Sequence, residues 1–153
     1  MNATKKLITV AQGYLELGMY QEAWDALDEV SPERRYAPNV LLVRLEIYRS
    51  LKKWDAMASV AKHLTSALPE DPGYWITLAY AQRRYLGVEE SEKTLFEALE
   101  RFRENATIHY NLARCAAQLG RLDEAKMRLG IAIELDPEFR EMAFEDPDLE
   151  SLW

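Results

Sequence analysis

The residues of this chain best suited to chemistry are two histidines and one cysteine, His63, His109 and Cys115. A cysteine nucleophile needs a base beside it, and a metal site needs several ligands at characteristic spacings. Neither histidine belongs to such a motif, and Cys115 stands in the middle of an apolar helical stripe, where a small hydrophobic residue packs. The sequence also lacks a glycine-rich phosphate loop and a nucleophile elbow. It therefore predicts no catalytic residue, no metal site and no cofactor, and an enzyme is the least favoured class of function.

The composition predicts one soluble domain and disfavours several classes of partner. The 153 residues are 48% hydrophobic and 29% charged, which is typical of a folded globular chain. The formal net charge of -7 disfavours nucleic acid and anionic membrane surfaces, which would repel the chain. A single cysteine cannot form an internal disulfide, and the apolar run at residues 7–10 is too short to span a membrane. We therefore expect a cytoplasmic protein with no membrane insertion.

A repeated stretch of sequence indicates how the chemistry-bearing residues are positioned. The residues from Leu17 to Ala23 return in nearly the same order from Leu119 to Ala125, 102 positions later. This offset is three periods of about 34 residues, and that period is typical of stacked helical hairpins. Proteins of this kind work by offering a surface, so the repeat predicts a binding function.

Glycine, proline and tryptophan positions divide the single domain into four units, which are residues 4–37, 38–71, 72–105 and 106–139. Each unit shows two runs of apolar residues at helical spacing with a break between them. In the last unit Gly120 separates a stripe that ends at Leu119 from one that begins at Leu122. No alternating strand pattern is longer than three or four residues. The sequence therefore predicts an all-α solenoid of four antiparallel helical hairpins.

The remaining residues, 140–153, carry apolar side chains within an acidic segment. A helical hairpin cannot bury its apolar face alone, so the end of a stack needs a cap. We expect a helix that caps the last hairpin, a turn at Asp146 and Pro147, and a final packed segment. An unstructured terminus is the alternative.

These patterns resemble the tetratricopeptide repeat (TPR), which has a large residue, a leucine and a small residue in its first helix, a glycine at the turn and a closing proline. The third unit keeps Trp75 but carries Gly87 one place late, and the second unit is weakest, with Arg44 at a usually apolar position. The resemblance implies a right-handed superhelical solenoid. It also implies a scaffold or adaptor that binds a protein or peptide along the concave face lined by the first helices. The fourth unit matches best, through Leu112, Ala113, Gly120, Ala125, Ala132 and Pro137.

On those first helices, the positions expected to face the concave side carry four arginines, with aromatic and apolar residues among them. The groove of this acidic protein is therefore expected to be rich in arginine. Arginine presents a planar fork that suits carboxylates, and aromatic faces beside it can hold a peptide. We therefore expect the groove to bind an acidic or carboxylate-bearing segment. Trp54 falls near a repeat-core position and is interpreted as a packing residue. The candidate groove residues are Arg49, Ile76, Tyr80, Arg83, Arg84, Tyr110, Arg114 and Gln118.

Several alternatives stay open at this point. The groove arginines could instead pair with the chain's own acidic residues, such as Glu46, and the two interpretations have equal weight. A more specific function is that of a small acidic chaperone resembling those that protect translocator proteins of type III secretion. That class resembles a three-repeat array with an extra helical segment, whereas repeats fill nearly this whole chain. A homodimer through an edge hairpin, in the first or second unit, is a further expectation.

Overall fold

The computed structural model describes residues 2–153, and all regular secondary structure within that range is helical. Eight of the α-helices form four successive pairs, and a short ninth α-helix and a 3-10 turn follow them. Another 3-10 turn, Pro32–Arg34, lies between the second and third helices. The α-helices are α1 (Ala3–Glu16), α2 (Tyr20–Asp28), α3 (Pro38–Ser50), α4 (Trp54–Ala67), α5 (Pro72–Tyr85), α6 (Val88–Arg101), α7 (Ala106–Gln118), α8 (Leu122–Leu135) and α9 (Phe139–Glu145).

Local sequence signals account for where these helices begin. Asn105 and Asp71 cap α7 and α5, since their side chains accept hydrogen bonds from the first free backbone N–H groups. Pro38 and Pro72 occupy the first turns of α3 and α5, where the missing N–H has no intrahelical partner to lose. These signals fix the first helix of each of the last three hairpins, which are the helices that line the candidate groove.

The hairpin turns follow from residues that accept a left-handed backbone. Gly18 and Gly120 have φ angles of 72° and 80°, a conformation that only glycine adopts without steric cost. The second hairpin uses Lys52 in the same region, with φ of 56°, where the sequence offers no glycine. In the third hairpin Gly87, with φ of 117°, directly precedes α6, which explains why it stands one place late.

The buried residues join neighbouring hairpins instead of forming separate cores. One apolar cluster combines α1, α2 and α3, the next combines α3, α4 and α5, and a third combines α5, α6 and α7. The last cluster combines α7 and α8 with the C-terminal residues. Because the first three clusters each span two hairpins, neighbouring hairpins depend on each other, as expected for a solenoid. The fold class predicted from the sequence is therefore confirmed.

The weak second unit has a specific physical explanation at Arg44. Its guanidinium lies 4.4 Å from the centre of the Trp24 ring and 3.3 Å from an Asp28 carboxylate oxygen. The aromatic ring and the carboxylate thus compensate the arginine for its partial burial. An apolar position of the repeat is occupied by a charged side chain without leaving the charge unpaired.

The C-terminal residues cap the stack through only half of their apolar side chains. Phe139 and Leu152 are buried, and Leu149 is 0% exposed against α7 and α8. The rings of Phe144 and Trp153 meet at a tilt of 46° with their centres 4.9 Å apart, yet these side chains remain 65% and 55% exposed. We call residues 146–152, which contain the 3-10 turn Pro147–Leu152, the tail segment. No helix among residues 2–153 is long and apolar enough to cross a membrane.

Candidate peptide-binding groove

The predicted groove residues lie on the first helices of three successive hairpins, α3, α5 and α7, and we call this face the groove. The structure divides them into two neighbouring groups. Ile76 joins neither group, because it packs against the apolar cluster of α5, α6 and α7. The open group is Arg49, Tyr80 and Arg84, and the closed group is Arg83, Tyr110, Arg114 and Gln118.

The closed group converges on one carboxylate of the tail segment, that of Asp148. The Oδ2 atom of Asp148 accepts hydrogen bonds from Arg83 Nη2 at 2.7 Å and from Arg114 Nη2 at 2.7 Å. Gln118 Nε2 donates to the other oxygen, Oδ1, at 2.7 Å. Two charged donors and one amide therefore hold a single carboxylate, and such charge-assisted bonds are the strong kind. Three of the eight predicted groove residues thus bind the carboxylate of Asp148.

A second tail carboxylate, that of Asp146, completes this arrangement. The Tyr110 hydroxyl donates to Asp146 Oδ2 at 2.7 Å, and Arg114 Nε lies 3.2 Å from the same atom. The other oxygen of Asp146 accepts a hydrogen bond from the backbone N–H of Asp148 at 2.9 Å. Asp146 thereby caps the 3-10 turn and fixes the position of the Asp148 carboxylate.

Burial and hydrogen bonds shift the pKa of two groups in this arrangement, the Asp148 carboxylate and the Tyr110 hydroxyl. Burial by itself raises the pKa of Asp148, but hydrogen bonds from Arg114 and Arg83 outweigh it and leave that pKa below its ordinary value. Burial and the hydrogen bond to Asp146 raise the pKa of the Tyr110 hydroxyl. At neutral pH Asp148 is therefore ionised and the Tyr110 hydroxyl is a hydrogen-bond donor.

The open group is arranged around aromatic rings. The Trp54 and Tyr80 rings meet edge to face at 5.6 Å. The Arg84 guanidinium lies 4.8 Å from the Trp54 ring centre and 5.9 Å from that of Tyr80, while Arg49 lies 5.7 Å from the Tyr80 ring centre. Rings at these distances orient a guanidinium without neutralising its charge.

The two groups differ in how they are paired with acids. Within the described range 2–153 the only ion pair of Arg49 is with Glu46, at 3.9 Å, and both of these side chains are about half exposed, so the pair is weak. Across residues 2–153, Arg84 has no carboxylate oxygen within 4.0 Å. The open group therefore retains positive charge that the closed group has lost to the tail segment.

One cavity connects the two groups. It has a volume of about 190 Å³, and its walls include Tyr80 and Arg84 of the open group and Arg83 and Arg114 of the closed group. Asp148 closes one side of it. The two groups are thus parts of one continuous surface, of which the tail segment occupies one end.

Sequence reasoning misses two contributors to this site. It identifies the tail aspartates only as parts of an acidic terminus and a turn, yet they occupy half of the arginine groove. It assigns Trp54 to packing, but one face of the Trp54 ring supports Arg84. The closely spaced Asp146 and Asp148 in an acidic tail are the sequence signal that indicates pairing with arginines. This signal does not indicate which arginines the tail contacts.

Of the other chemistry-bearing residues, His109 and Cys115 occupy packing positions on α7, whereas His63 on α4 is exposed. His109 is buried, with its Nε2 atom 2.8 Å from the backbone oxygen of Arg103. Cys115 is buried, and burial raises the pKa of its thiol, so the thiol is protonated at neutral pH. His63 on α4 lies 6.4 Å from the ring of Tyr36, centre to centre. Among residues 2–153 no cluster of three or more potential metal ligands is present.

Comparisons with known proteins agree with this architecture. Residues 89–143 match a family model described as a tetratricopeptide repeat. The protein MamA of Desulfovibrio magneticus RS-1 is similar in structure over 88% of this chain and 76% of its own, with a TM-score of 0.75 and 18% identity. The thermophilic TPR protein TTC0263 of Thermus thermophilus is similar over 97% of this chain and 80% of its own, with a TM-score of 0.69 and 20% identity.

A third similar structure is a chaperone with a bound peptide. The type III secretion chaperone SycD of Yersinia enterocolitica, in complex with a peptide of the translocator YopD, is similar over 73% of this chain and 88% of its own. Its TM-score is 0.63 and its identity 20%. No curated protein sequence matches the chain. The resemblance to tetratricopeptide-repeat proteins is therefore confirmed by the family match and by the fold.

Proposed function

Because the chain has the tetratricopeptide-repeat fold, we propose that it is a non-enzymatic scaffold or adaptor whose groove binds an acidic or carboxylate-bearing segment of a partner protein. One observation carries this proposal. Two arginines of the groove already hold carboxylates of the tail segment, while Arg49 and Arg84 beside them stay exposed on aromatic rings. The same donor chemistry is thus available to an acidic segment from another protein.

The net charge of -7 does not exclude an acidic ligand. Charges are screened over about 8 Å at physiological salt, so the field inside the groove depends on the nearest side chains. The charged side chains of the open group are Arg49 and Arg84. Among residues 2–153 only Arg49 has a carboxylate partner, that of Glu46 at 3.9 Å. Stacking on Trp54 and Tyr80 also limits the conformational entropy that Arg84 loses when a carboxylate binds.

The test compares two arginines that differ in location, each of which lies against a tryptophan ring. Arg84→Glu reverses the charge of the open group, whereas Arg101→Glu changes an arginine 5.9 Å from the Trp75 ring and paired with Glu70 at 3.5 Å, outside the groove. Both immobilised variants are used to capture proteins from a lysate of the native organism, and the bound segment is mapped by cross-linking. We expect Arg84→Glu to lose a partner that Arg101→Glu retains, with the cross-link at an acidic segment. Equal capture by both variants would refute the proposal.

A cytoplasmic chaperone of secreted proteins is the second candidate function. It is supported by the similarity to SycD with its bound peptide, together with small size and acidity. The presence of a neighbouring secretion operon, and protection of its translocator from aggregation by the purified chain, would favour this candidate over a general adaptor. The absence of both would exclude it.

Homodimer formation through an edge hairpin stays a prediction. The first hairpin exposes Val10 and Leu17, which is consistent with a contact there. Light scattering on the purified chain measures the mass directly, and a monomer at high concentration would contradict the prediction.

A further inference from the structure

The tail segment lies in the groove in the manner of a bound peptide. It consists of the 3-10 turn and its cap Asp146, and two of its three carboxylates, those of Asp146 and Asp148, contact groove residues on α5 and α7. Behind the carboxylates, Leu149 and Leu152 are buried in the cluster that includes Tyr110. The ionic contacts join residues far apart in sequence, such as Arg83 and Asp148, which are 65 positions apart.

We propose that the tail segment is an intramolecular ligand of the groove, which a partner segment with the same pattern of two carboxylates followed by leucine displaces. This inference rests on the proposed function and names its regulation. The pattern in the chain itself is Asp146, Asp148 and Leu149. A partner that reproduces it and extends toward Arg84 would bind both groups of the groove at once.

Displacement is physically reasonable because it is an exchange. A partner leucine would refill the site of Leu149, and partner carboxylates would replace those on Arg83 and Arg114, so no buried charge stays unpaired. The cap itself persists, since Phe139 and Ala143 of α9 contribute their own buried contacts. The partner gains additional contacts at the open group, which the tail segment does not reach.

The tether gives the tail segment its advantage over a free peptide. A covalently attached segment competes at an effective concentration on the order of millimolar. A free peptide of equal intrinsic affinity therefore binds the unaltered chain poorly. A substitution that weakens the binding of the tail segment should leave its site free for the peptide. Replacing the Asp148 carboxylate with an amide does this while keeping the shape of the side chain.

The experiment measures binding of a fluorescein-labelled peptide with the sequence of residues 145–153 to full-length variants. Asp148→Asn removes the carboxylate that Arg83, Arg114 and Gln118 contact. Glu150→Gln is the matched control, because it removes one exposed carboxylate of the same segment that has no ion-pair partner among residues 2–153. We expect fluorescence anisotropy to show at least about tenfold tighter binding to Asp148→Asn than to Glu150→Gln, since charge-assisted hydrogen bonds of this kind are worth a factor of that size or more.

Two results would overturn the proposal. One is equal affinity of the peptide for both variants, and the other is an equal gain for a peptide that itself carries Asp148→Asn. Hydrogen exchange on the unaltered chain gives a measurement that needs no variant. Amides of residues 148–153 should exchange faster than those of α7. Equal protection would also overturn the proposal, because it would show that the tail segment opens only with the whole fold. Failure of these tests leaves the Arg84→Glu result standing, so the two proposals are judged separately.

Discussion

Replacing Leu149 with alanine measures how firmly the tail segment is held. The side chain is 0% exposed and lies in the cluster formed by α7, α8, α9 and the tail segment. Truncating a buried leucine to alanine costs about 2–5 kcal/mol, because both transfer free energy and packing are lost. The tail segment lies at the end of the stack, however, so the chain has an alternative to keeping the cavity, which is to release the segment.

That alternative limits the expected loss. Docking gains free energy from the burial of Leu149 and Leu152 and from the contacts of the two aspartates, and it loses the conformational entropy of the ordered segment. Leu149→Ala cannot cost more than the net free energy of docking, because beyond that point the chain releases the segment. We expect a loss near the lower bound, about 2 kcal/mol, which corresponds to a decrease in Tm of about 4–8 °C for a chain of this length.

The assay is thermal unfolding followed by circular dichroism, with Leu17→Ala as the control. Leu17 is 73% exposed at the end of α1, so its truncation removes almost no buried area. A Tm for Leu149→Ala within about 1 °C of the control would refute the reasoning, because such a small change equals less than about 0.5 kcal/mol. It would mean that the tail segment is not docked in solution.

The remaining predictions concern the turns, the pH and the thiol. Gly120→Ala forces a left-handed backbone on alanine at φ of 80° and should cost about 1 kcal/mol, whereas Gly130→Ala inside α8, with open space around its Cβ, should stabilise by a similar amount. Chemical denaturation of both variants checks this, and shifts of the same sign would contradict it. Because the folded pKa of Asp148 is lowered, its contribution is present above the ordinary value of about 4 and is lost as pH falls through the folded pKa. The Tm difference between the unaltered chain and Asp148→Asn should thus be constant from neutral pH to about 5 and vanish in stronger acid; a difference independent of pH would contradict this assignment. Buried Cys115, with its raised pKa, should react with a thiol reagent only on unfolding, and rapid labelling of the folded chain at neutral pH would contradict its packing.

The helices are predictable because each of them carries its own signals. Caps, prolines and turn glycines act within three or four residues, so the sequence alone locates Asn105, Pro72 and Gly120 at helix ends. The second hairpin is harder, since Lys52 replaces a glycine and Arg44 occupies an apolar position. The compensation for Arg44, through the ring of Trp24, depends on a contact between different hairpins that no local pattern records.

The sequence predicts which helix faces form the groove, but it does not predict the contacts within it. The helical phase, taken with the family resemblance, places the arginines on the first helices, but it cannot say which arginine has a partner. Arg83 and Arg114 meet Asp148 across 65 and 34 positions of sequence. The sequence suggests internal pairing only with nearby glutamates such as Glu46. The partners in the closed group are aspartates of the tail segment instead.

The division of the groove follows from how far the tail segment reaches. Asp148 is the last carboxylate of the tail that contacts the groove, and its contacts on α5 stop at Arg83, the residue directly before Arg84. Arg84, the next residue of α5, lies against the rings of Trp54 and Tyr80. Among residues 2–153 no carboxylate is close enough to neutralise its guanidinium. A stacked, exposed arginine beside a paired one is what the proposed function predicts for a peptide site whose present ligand, the tail segment, does not reach Arg84. We therefore expect a longer acidic segment to bind more tightly, since it can contact Arg84 as well as replace what the tail segment supplies.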